Sequence, residues 1–202
     1  MKKPEIQAIA DEVLGRIFVP LEASARHVHL TKAQCHALFG TALTPERPLS
    51  QPGQYLSEQR VTLIGPKGRF DHVAVLGPER SEAQVEISLT DGRALGITPP
   101  IRESGDVKGS PGIIVEGPLG RIGLPCGVIA AQRHVHLTPE AAARFRVKDK
   151  QLVSLQVFTR RPVVFQDVLV RVREDFAPAV HLDFDEANAC DLKPGDLGRM
   201  IP

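Results

Sequence analysis

Two identical hexapeptides, RHVHLT, contain four of the seven histidines in this 202-residue chain. They occupy residues 26–31 and 133–138. In a β-strand, side chains at positions i and i+2 point to the same face, so the two imidazoles of each copy can converge on one point. Imidazole nitrogens are common ligands of zinc and other transition metals. Each hexapeptide is therefore a candidate source of two metal ligands, which are His27 with His29 and His134 with His136.

A longer internal repeat offers a third ligand for each pair. Aligning Phe70 with Phe165 also matches aliphatic residues along the two halves, and it places Glu86 on His181. Two imidazoles with a carboxylate, or three imidazoles, leave one coordination position open, as catalytic zinc sites do. A single H-x-H pair is more often structural than metal-binding, but a duplicated pair with matched third ligands favours two metal sites.

Arg80 is the candidate anion-binding residue. It ends the turn-forming stretch LGPER and precedes Glu86, which lies on a predicted strand. A guanidinium next to a metal can bind two phosphate oxygens at once, which suits phosphate or an acyl phosphate. Taken alone, such a residue is more often a solvated loop arginine, so its assignment depends on the metal site beside it.

The elements that must position these residues are mainly short β-strands. The chain has 17 glycines and 17 prolines, which separate short runs rich in aliphatic and β-branched residues. This pattern is typical of barrels and sandwiches. Short helices are predicted after each hexapeptide, at residues 32–39 and 139–145, with Thr31 and Thr138 as N-caps. Apolar residues at helical spacing predict a further amphipathic helix at residues 4–17.

The composition limits the class of protein. Hydrophobic residues make up 42% and charged residues 24% of the chain, with a formal net charge of +1. These values predict a folded chain and argue against nucleic acid or an anionic membrane as the main partner. Three widely spaced cysteines fit free thiols in a reducing compartment. Because no long apolar run and no secretory signal is visible, we expect a soluble, intracellular protein.

These motifs resemble those of the phosphate propanoyltransferases, the phosphotransacylases of propanediol-utilisation and related bacterial microcompartments. The matching stretches are SARHVHL, QPGQY, VTLIGPKG, VLGPERSEAQVEIS, GSPGI, GVIAAQRHVHLTP and DFDEANA. They extend over nearly the whole chain, and their combination is specific. The family is unrelated in fold to the larger phosphotransacylases of acetate metabolism.

The resemblance implies a mainly β fold with two β-barrel domains that are capped by short helices and related by internal duplication. Residues 1–20 would form the N-terminal helix. Residues 21–48 together with 128–202 would form the first barrel, and residues 49–127 the second. The active site would lie between the barrels.

The resemblance also implies two divalent metal ions, of which zinc is the expected one. The matching ligand sets are His27, His29 and Glu86 for one ion and His134, His136 and His181 for the other. Arg80 matches the family's phosphate-binding arginine. The positions that match coenzyme A contacts are Ser24, Leu76 and Asn188. Ala74 departs from the pattern of the relatives, which carry an arginine there, so the resemblance does not extend to one contact with a phosphate of coenzyme A, although it still implies the same reaction.

The implied function is reversible transfer of propanoyl or a similar short acyl group between coenzyme A and phosphate. A metal-bound thiolate of coenzyme A would attack the acyl phosphate directly. The alternatives are a dinuclear metallohydrolase of a thioester or phosphate ester, which would activate water with the same ligands, and a metal-binding scaffold without activity. No residue determines the length of the acyl chain.

The resemblance further implies a cytoplasmic homodimer inside a bacterial microcompartment. Residues 4–17 would contact shell proteins as an encapsulation peptide. The same helix could instead pack on its own barrel or on a sister subunit, and the sequence leaves both roles open.

Overall fold

The computed structural model describes residues 13–15 and 17–201. Most of the helix predicted at residues 4–17 lies outside this range, and within it residues 13–15 and 17 are helical. The strands are β1 Val19–Ser24, β2 His27–His29, β3 Pro45–Pro48, β4 Tyr55–Ile64, β5 Arg69–Gly77, β6 Gln84–Glu86, β7 Ile101–Arg102, β8 Ile113–Gly117, β9 Gly120–Leu124, β10 Val128–Ala131, β11 His134–Leu137, β12 Leu152–Val157, β13 Val163–Val172, β14 Ala179–Asp183 and β15 Leu197–Ile201. The helices that follow β1 are α1 Lys32–Phe39, α2 Leu89–Leu95, α3 Pro139–Phe145 and α4 Phe184–Ala189. None of the helices in the described part of the chain is long and apolar enough to cross a membrane.

The helices that follow the two hexapeptides begin where the sequence predicts. The side chain of Thr31 accepts a hydrogen bond from the backbone of Gln34, and the side chain of Gln34 accepts one from the backbone of Thr31, which is a complete capping box. The side chain of Thr138 accepts a hydrogen bond from the backbone of Ala141 and so caps α3, with Pro139 at the first helical position. α1 ends at Gly40, whose positive φ of 74° is a conformation that glycine adopts without strain.

Contacts within the chain divide it into two compact units. Unit 1 contains the described residues up to Ser24, together with Arg133–Leu182 and the described residues from Glu186 onward. Its strands form a closed six-stranded barrel in the order β1, β14, β11, β13, β12 and β15. Alternate residues of these strands point inward and form an aliphatic core that includes Val135, Leu155 and Val180, none of which is exposed to solvent.

Unit 2 contains Ala25–Gln132 and Asp183–Asp185. Its strands form a nine-stranded sheet in the order β7, β10, β6, β2, β5, β4, β8 and β9, with β3 paired to β4. The mainly β fold with short helices is therefore confirmed, but unit 2 is a curled open sheet rather than a closed barrel. The core residues of this unit include Val28, Leu63 and Val85, which are also fully buried.

The two units divide the chain at other residues than the resemblance implies. Residues 25–48 and 128–132, which the resemblance places in the first barrel, have most of their contacts within unit 2. Strand pairing explains the difference, because β2 hydrogen-bonds with β5 and β6, and β10 hydrogen-bonds with β6 and β7. A strand of three or four residues carries no sequence signal that identifies a distant partner.

The internal duplication appears as one topology that occurs in both units. In unit 2, β2 pairs in parallel with β5 and antiparallel with β6. In unit 1, β11 pairs in parallel with β13 and antiparallel with β14. A short helix follows each of these central and antiparallel strands, namely α1 and α2 in the first half of the sequence and α3 and α4 in the second. Each hexapeptide therefore supplies the middle strand of a three-strand group.

Candidate metal centre

The first histidine pair and Glu86 meet on adjacent strands of unit 2. His27 on β2 lies directly opposite Glu86 on β6, so the two side chains share one face of the sheet. His29 lies two residues further along the same face. One potential ligand atom from each of the three residues lies within 4.8 Å of the others, and all three residues are buried. Among the described residues, only this group meets that spacing.

Hydrogen bonds to the backbone orient both imidazoles. Nδ1 of His27 lies 2.8 Å from the carbonyl oxygen of Ala25, and Nδ1 of His29 lies 3.3 Å from that of Leu76. A carbonyl oxygen can only accept, so each Nδ1 carries a proton, and in the neutral form of each ring Nε2 is the nitrogen with a lone pair. Nε2 of His27 faces Oε2 of Glu86 at 3.6 Å. This arrangement is typical of metal-binding histidines, whose second nitrogen donates to a carbonyl or carboxylate.

The three buried groups have different electrostatic environments. Burial lowers the pKa of His27, but the negative charge of the nearby Glu86 carboxylate outweighs burial, so the pKa is raised overall. Burial, followed by the positive charges of His27 and Arg80, holds the pKa of His29 well below its usual range. His29 is therefore neutral at neutral pH, which is the state that a metal-binding imidazole requires.

Arg80 lies in the loop that joins β5 to β6. Its backbone N–H donates to the carbonyl oxygen of Leu30 at 2.9 Å, and Nη1 donates to Oγ of Ser104 at 3.3 Å. The loop follows Gly77, the last residue of β5, where a Cβ atom would occupy the position of the Tyr55 ring, so a larger residue there requires that ring to move. The structure thus places the predicted anion-binding guanidinium close enough for its charge to help lower the pKa of His29 and to oppose the rise in the pKa of His27.

The second set of predicted ligands forms a cluster of three imidazoles in unit 1. His134 on β11 lies directly opposite His181 on β14. The ring of His136 has its centroid 4.7 Å from that of His134 and 4.9 Å from that of His181. Nε2 of His181 lies 3.8 Å from Oε2 of Glu22. The residues predicted as a second ligand set are therefore neighbours.

His136 is the member of this cluster that most clearly suits a ligand. Its Nδ1 is buried and has no hydrogen-bond partner among the described residues. Such a nitrogen costs free energy unless something coordinates it. Burial, together with the charges of His134 and His181, lowers the pKa of His136 to about 2, so its ring is neutral. A neutral, buried and unsatisfied imidazole fits a metal ion better than it fits a structural hydrogen bond.

Comparison with known proteins agrees with the resemblance. A sequence model of the phosphate propanoyltransferase family matches residues 20–193. The chain belongs to the phosphate propanoyltransferase family. The phosphate propanoyltransferase of Alkaliphilus metalliredigens is 47% identical over 211 residues, covering 100% of both chains. The protein of the same name from Thermotoga maritima is 51% identical over 181 residues, covering 88% of this chain and 86% of the relative. That from Salmonella typhimurium is 45% identical over 199 residues, covering 97% and 94%.

Membership of this family confirms the predicted class of enzyme, a phosphate acyltransferase. The roles predicted for three coenzyme A contacts remain predictions. Ser24 ends β1 and Asn188 is exposed on α4, both in unit 1, whereas Leu76 lies on β5 in unit 2. The carbonyl group of Leu76 also holds Nδ1 of His29. Ala74, the position where the resemblance implies an arginine, lies opposite His27 in the β2–β5 pair.

Sequence reasoning assigned no role to the arginine that begins each hexapeptide. In unit 2, Arg26 donates two hydrogen bonds to Asp91, from Nε at 3.0 Å and from Nη2 at 2.7 Å. Its guanidinium also stacks 4.2 Å from the centroid of the Phe70 ring. Asp91 belongs to the capping box of α2 with Ser88. Arg26 therefore ties the start of β2 to the first turn of α2.

The second hexapeptide repeats this contact in a weaker form. Arg133 donates from Nη1 to Glu186 at 2.9 Å and from Nε to the carbonyl oxygen of Gln166 at 2.6 Å. Its guanidinium lies 6.0 Å from the centroid of the Phe165 ring. The alignment that matches Phe70 with Phe165 also matches Asp91 with Glu186. The two arginine–carboxylate pairs could therefore have been predicted from the sequence.

Two further residues beside the cluster in unit 2 were also missed. Gln84 lies opposite His29 and donates a hydrogen bond to Glu86, and Ser104 contacts both Gln84 and Arg80. The spacing Gln84-x-Glu86 on a predicted strand was the only available signal for Gln84, because it places the two side chains on one face.

Proposed function

We propose that this chain interconverts a short-chain acyl-CoA, such as propanoyl-CoA, and phosphate with the acyl phosphate and coenzyme A. The observation that carries the proposal is the buried cluster of His27, His29 and Glu86 with Arg80 beside it. A metal-ligand set next to a guanidinium suits an anionic substrate. The name of the relatives, phosphate propanoyltransferase, supports both the phosphate and the acyl group.

The proposed reaction needs no covalent acyl-enzyme. Toward acyl-CoA, the sulfur of the coenzyme A thiolate bonds to the acyl carbon, the bond between that carbon and the phosphate oxygen breaks, and phosphate leaves. In the other direction, a phosphate oxygen attacks the thioester carbon and the thiolate leaves. Binding the two reactants side by side supplies much of the rate enhancement.

We also propose one divalent ion at each histidine cluster, with zinc as the preferred ion. The proposal is supported by the Nδ1 contacts of His27 and His29 with backbone carbonyl oxygens, which leave Nε2 as the ligand atom of each neutral ring, and by the unsatisfied Nδ1 of His136 within the described chain. Donor sets of imidazole and carboxylate suit zinc. A divalent ion bound at these residues would supply a Lewis acid that stabilises negative charge on sulfur and oxygen.

Arg80 has the role of holding phosphate. Its side chain is half-buried, and its backbone is anchored to Leu30, so the guanidinium is presented from a supported loop. A planar guanidinium can hold two phosphate oxygens and compensate the charge that develops as the bond to the acyl carbon breaks.

The test combines metal analysis with a phosphate-dependent assay. We expect Glu86→Ala to lose about one equivalent of metal, because it removes one ligand of three. Arg80→Ala should keep its metal and lose turnover. His36→Ala, which removes an exposed histidine on α1, is the matched control and should change neither. Full metal content in Glu86→Ala or full turnover in Arg80→Ala would contradict the proposed site.

Release of free thiol from propanoyl-CoA, measured with and without phosphate, distinguishes the transferase from the hydrolase. Thiol release that requires phosphate and yields propanoyl phosphate supports the transferase. Thiol release that proceeds at the same rate without phosphate would favour the hydrolase, because water would then be the acceptor.

The location inside a microcompartment and the homodimer are also proposals. Val13, Leu14 and Ile17 have 50%, 42% and 45% of their surface exposed, so this part of the N-terminal segment offers an apolar surface to a partner. Fusing residues 1–20 to a fluorescent protein tests encapsulation in cells that form such compartments. Light scattering of the purified chain tests the dimer.

A further inference from the structure

The side-chain amide of Gln84 is completely hydrogen-bonded inside unit 2. Only 2% of Gln84 is exposed. Its Nε2 donates to Oε1 of Glu86 at 2.5 Å and to Oγ of Ser104 at 2.9 Å, and its Oε1 accepts from the backbone N–H of Gly105 at 2.7 Å. Both amide hydrogens are therefore used. The reverse orientation of the amide would place its oxygen against a carboxylate, so only one orientation is compatible with its neighbours.

The first consequence concerns the carboxylate of Glu86. Gln84 and Glu86 are two residues apart on β6 and lie on the same face. Because Gln84 holds Oε1, the other oxygen, Oε2, is the one that faces Nε2 of His27 at 3.6 Å. Groups that hydrogen-bond to a metal ligand in this way orient the ligand and change the metal affinity of the site.

The second consequence concerns Arg80. The hydroxyl oxygen of Ser104 accepts from Gln84 at 2.9 Å and from Nη1 of Arg80 at 3.3 Å. The backbone N–H of Gly105, next in the chain, donates to Gln84 as well. The short segment of residues 104–105 therefore contacts Gln84, which holds the Glu86 carboxylate, and also contacts the guanidinium of Arg80.

We propose that Gln84 and Ser104 are positioning residues that link the metal-binding carboxylate of Glu86 to the phosphate-binding guanidinium of Arg80. Gln84 selects which oxygen of Glu86 is presented to the metal. Ser104 sets the position of Arg80 relative to that carboxylate. This inference rests on the proposed function of the cluster, and neither residue contacts the reacting atoms directly.

Gln84→Met tests the first link, because methionine keeps the length of the side chain but cannot hydrogen-bond to Glu86. Zinc affinity is measured by competition with a chromophoric chelator. We expect it to fall by about 10- to 100-fold at the Glu86 cluster, as for other residues that orient a metal ligand. The matched control is Gln59→Met. Gln59 makes two hydrogen bonds to Thr44 in the same unit, away from the cluster. Unchanged affinity in Gln84→Met, or an equal loss in Gln59→Met, would overturn the inference.

Ser104→Ala tests the second link with a different readout. We expect the KM for phosphate to rise several-fold while zinc affinity stays within about threefold of the wild type, because Gln84 still holds Glu86. Ser57→Ala is the control. It removes a fully buried hydroxyl that donates to the carbonyl oxygen of Val75, and should leave the KM for phosphate unchanged. A KM that does not change in Ser104→Ala, or that rises equally in Ser57→Ala, would contradict the role of Ser104.

The wild-type protein separates failure of this inference from failure of the proposed function. If the wild type binds no zinc that depends on Glu86, the proposed metal site is wrong and the inference is rejected with it. If the wild type binds such zinc and the Gln84 variant binds it equally well, the site is retained and the positioning role alone is rejected. Comparing the unfolding midpoints of the metal-free variants shows whether either substitution acts through stability instead.

Discussion

Replacing Arg26 with methionine should destabilise the protein more than the same change at Arg133, although both residues begin the sequence RHVHLT. Both guanidiniums pair with a carboxylate near the start of a short helix. They differ in geometry, because Arg26 makes two hydrogen bonds to Asp91 and Arg133 makes one to Glu186. The repeat therefore allows one residue type to be compared in two environments within one protein.

The expected magnitudes follow from burial. Removing one partner of a fully buried ion pair costs about 3–5 kcal/mol. The side chain of Asp91 is 8% exposed but that of Arg26 is 34% exposed, so water can replace part of the lost interaction. We therefore expect about 2–3 kcal/mol for Arg26→Met, including the lost contact with Phe70. The pair of Arg133 and Glu186 is 30% and 17% exposed, and about 1 kcal/mol is expected there.

Urea unfolding of the metal-free protein, followed by circular dichroism, measures both losses. A double-mutant cycle with Asp91→Asn isolates the pair, because Arg26→Met should cost much less when the carboxylate is already neutral. Equal losses for the two arginines would refute the argument from burial. If Arg26→Met lowers the free energy of unfolding equally in the Asp91→Asn variant, the contact with Asp91 is not the cause of the loss.

Three further predictions concern single residues. Thr31→Ala should lower the free energy of unfolding by about 1 kcal/mol through loss of the N-cap, while Thr31→Ser keeps the cap, as urea unfolding would show. Burial raises the pKa of the Cys35 thiol to about 11, so iodoacetamide at pH 8 should label the partly exposed Cys126 first. Mass spectrometry measures the order of labelling, and early labelling of Cys35 would contradict this prediction. Gly77→Ala should lower the melting temperature, because the added Cβ would displace the ring of Tyr55 from its packed position, and an unchanged melting temperature would show that the ring moves without cost.

The pattern of residue types predicted the local structure better than it predicted the pairing of strands. The i, i+2 rule and the N-cap threonines both depend on neighbours in the sequence, and both predictions agree with the structure. The assignment of residues 25–48 to the first barrel depended on distant contacts of β2, and the structure places them in unit 2. Three residues cannot identify their partner strand, because their side chains fit many apolar surfaces equally well.

In the candidate site, too, contacts between residues distant in the sequence were the hardest to predict. Aligning the two halves predicted Glu86 as the partner of His27, and the structure places the two residues directly opposite each other. The roles of Gln84 and Ser104 could not be predicted, because a glutamine in a strand and a serine in a loop are common without any function. They became apparent only when the loop after β7 was found beside β6.

The two copies of RHVHLT make the same structural contacts, but the third residue of each cluster differs. In each copy the arginine contacts a helix carboxylate, the threonine caps the next helix, and the strand lies between one parallel and one antiparallel neighbour. Because these contacts are shared, the main chemical difference between the two clusters is that Glu86 in the first corresponds to His181 in the second. A coordinating carboxylate such as Glu86 would lower the net charge of a divalent ion bound in the first cluster, whereas in the second cluster the carboxylate of Glu22 lies beside Nε2 of His181, at 3.8 Å, and is not among the three predicted ligands. If each cluster binds an ion as proposed, the two sites differ in charge, and we expect the imidazole site to attract anionic substrate groups more strongly.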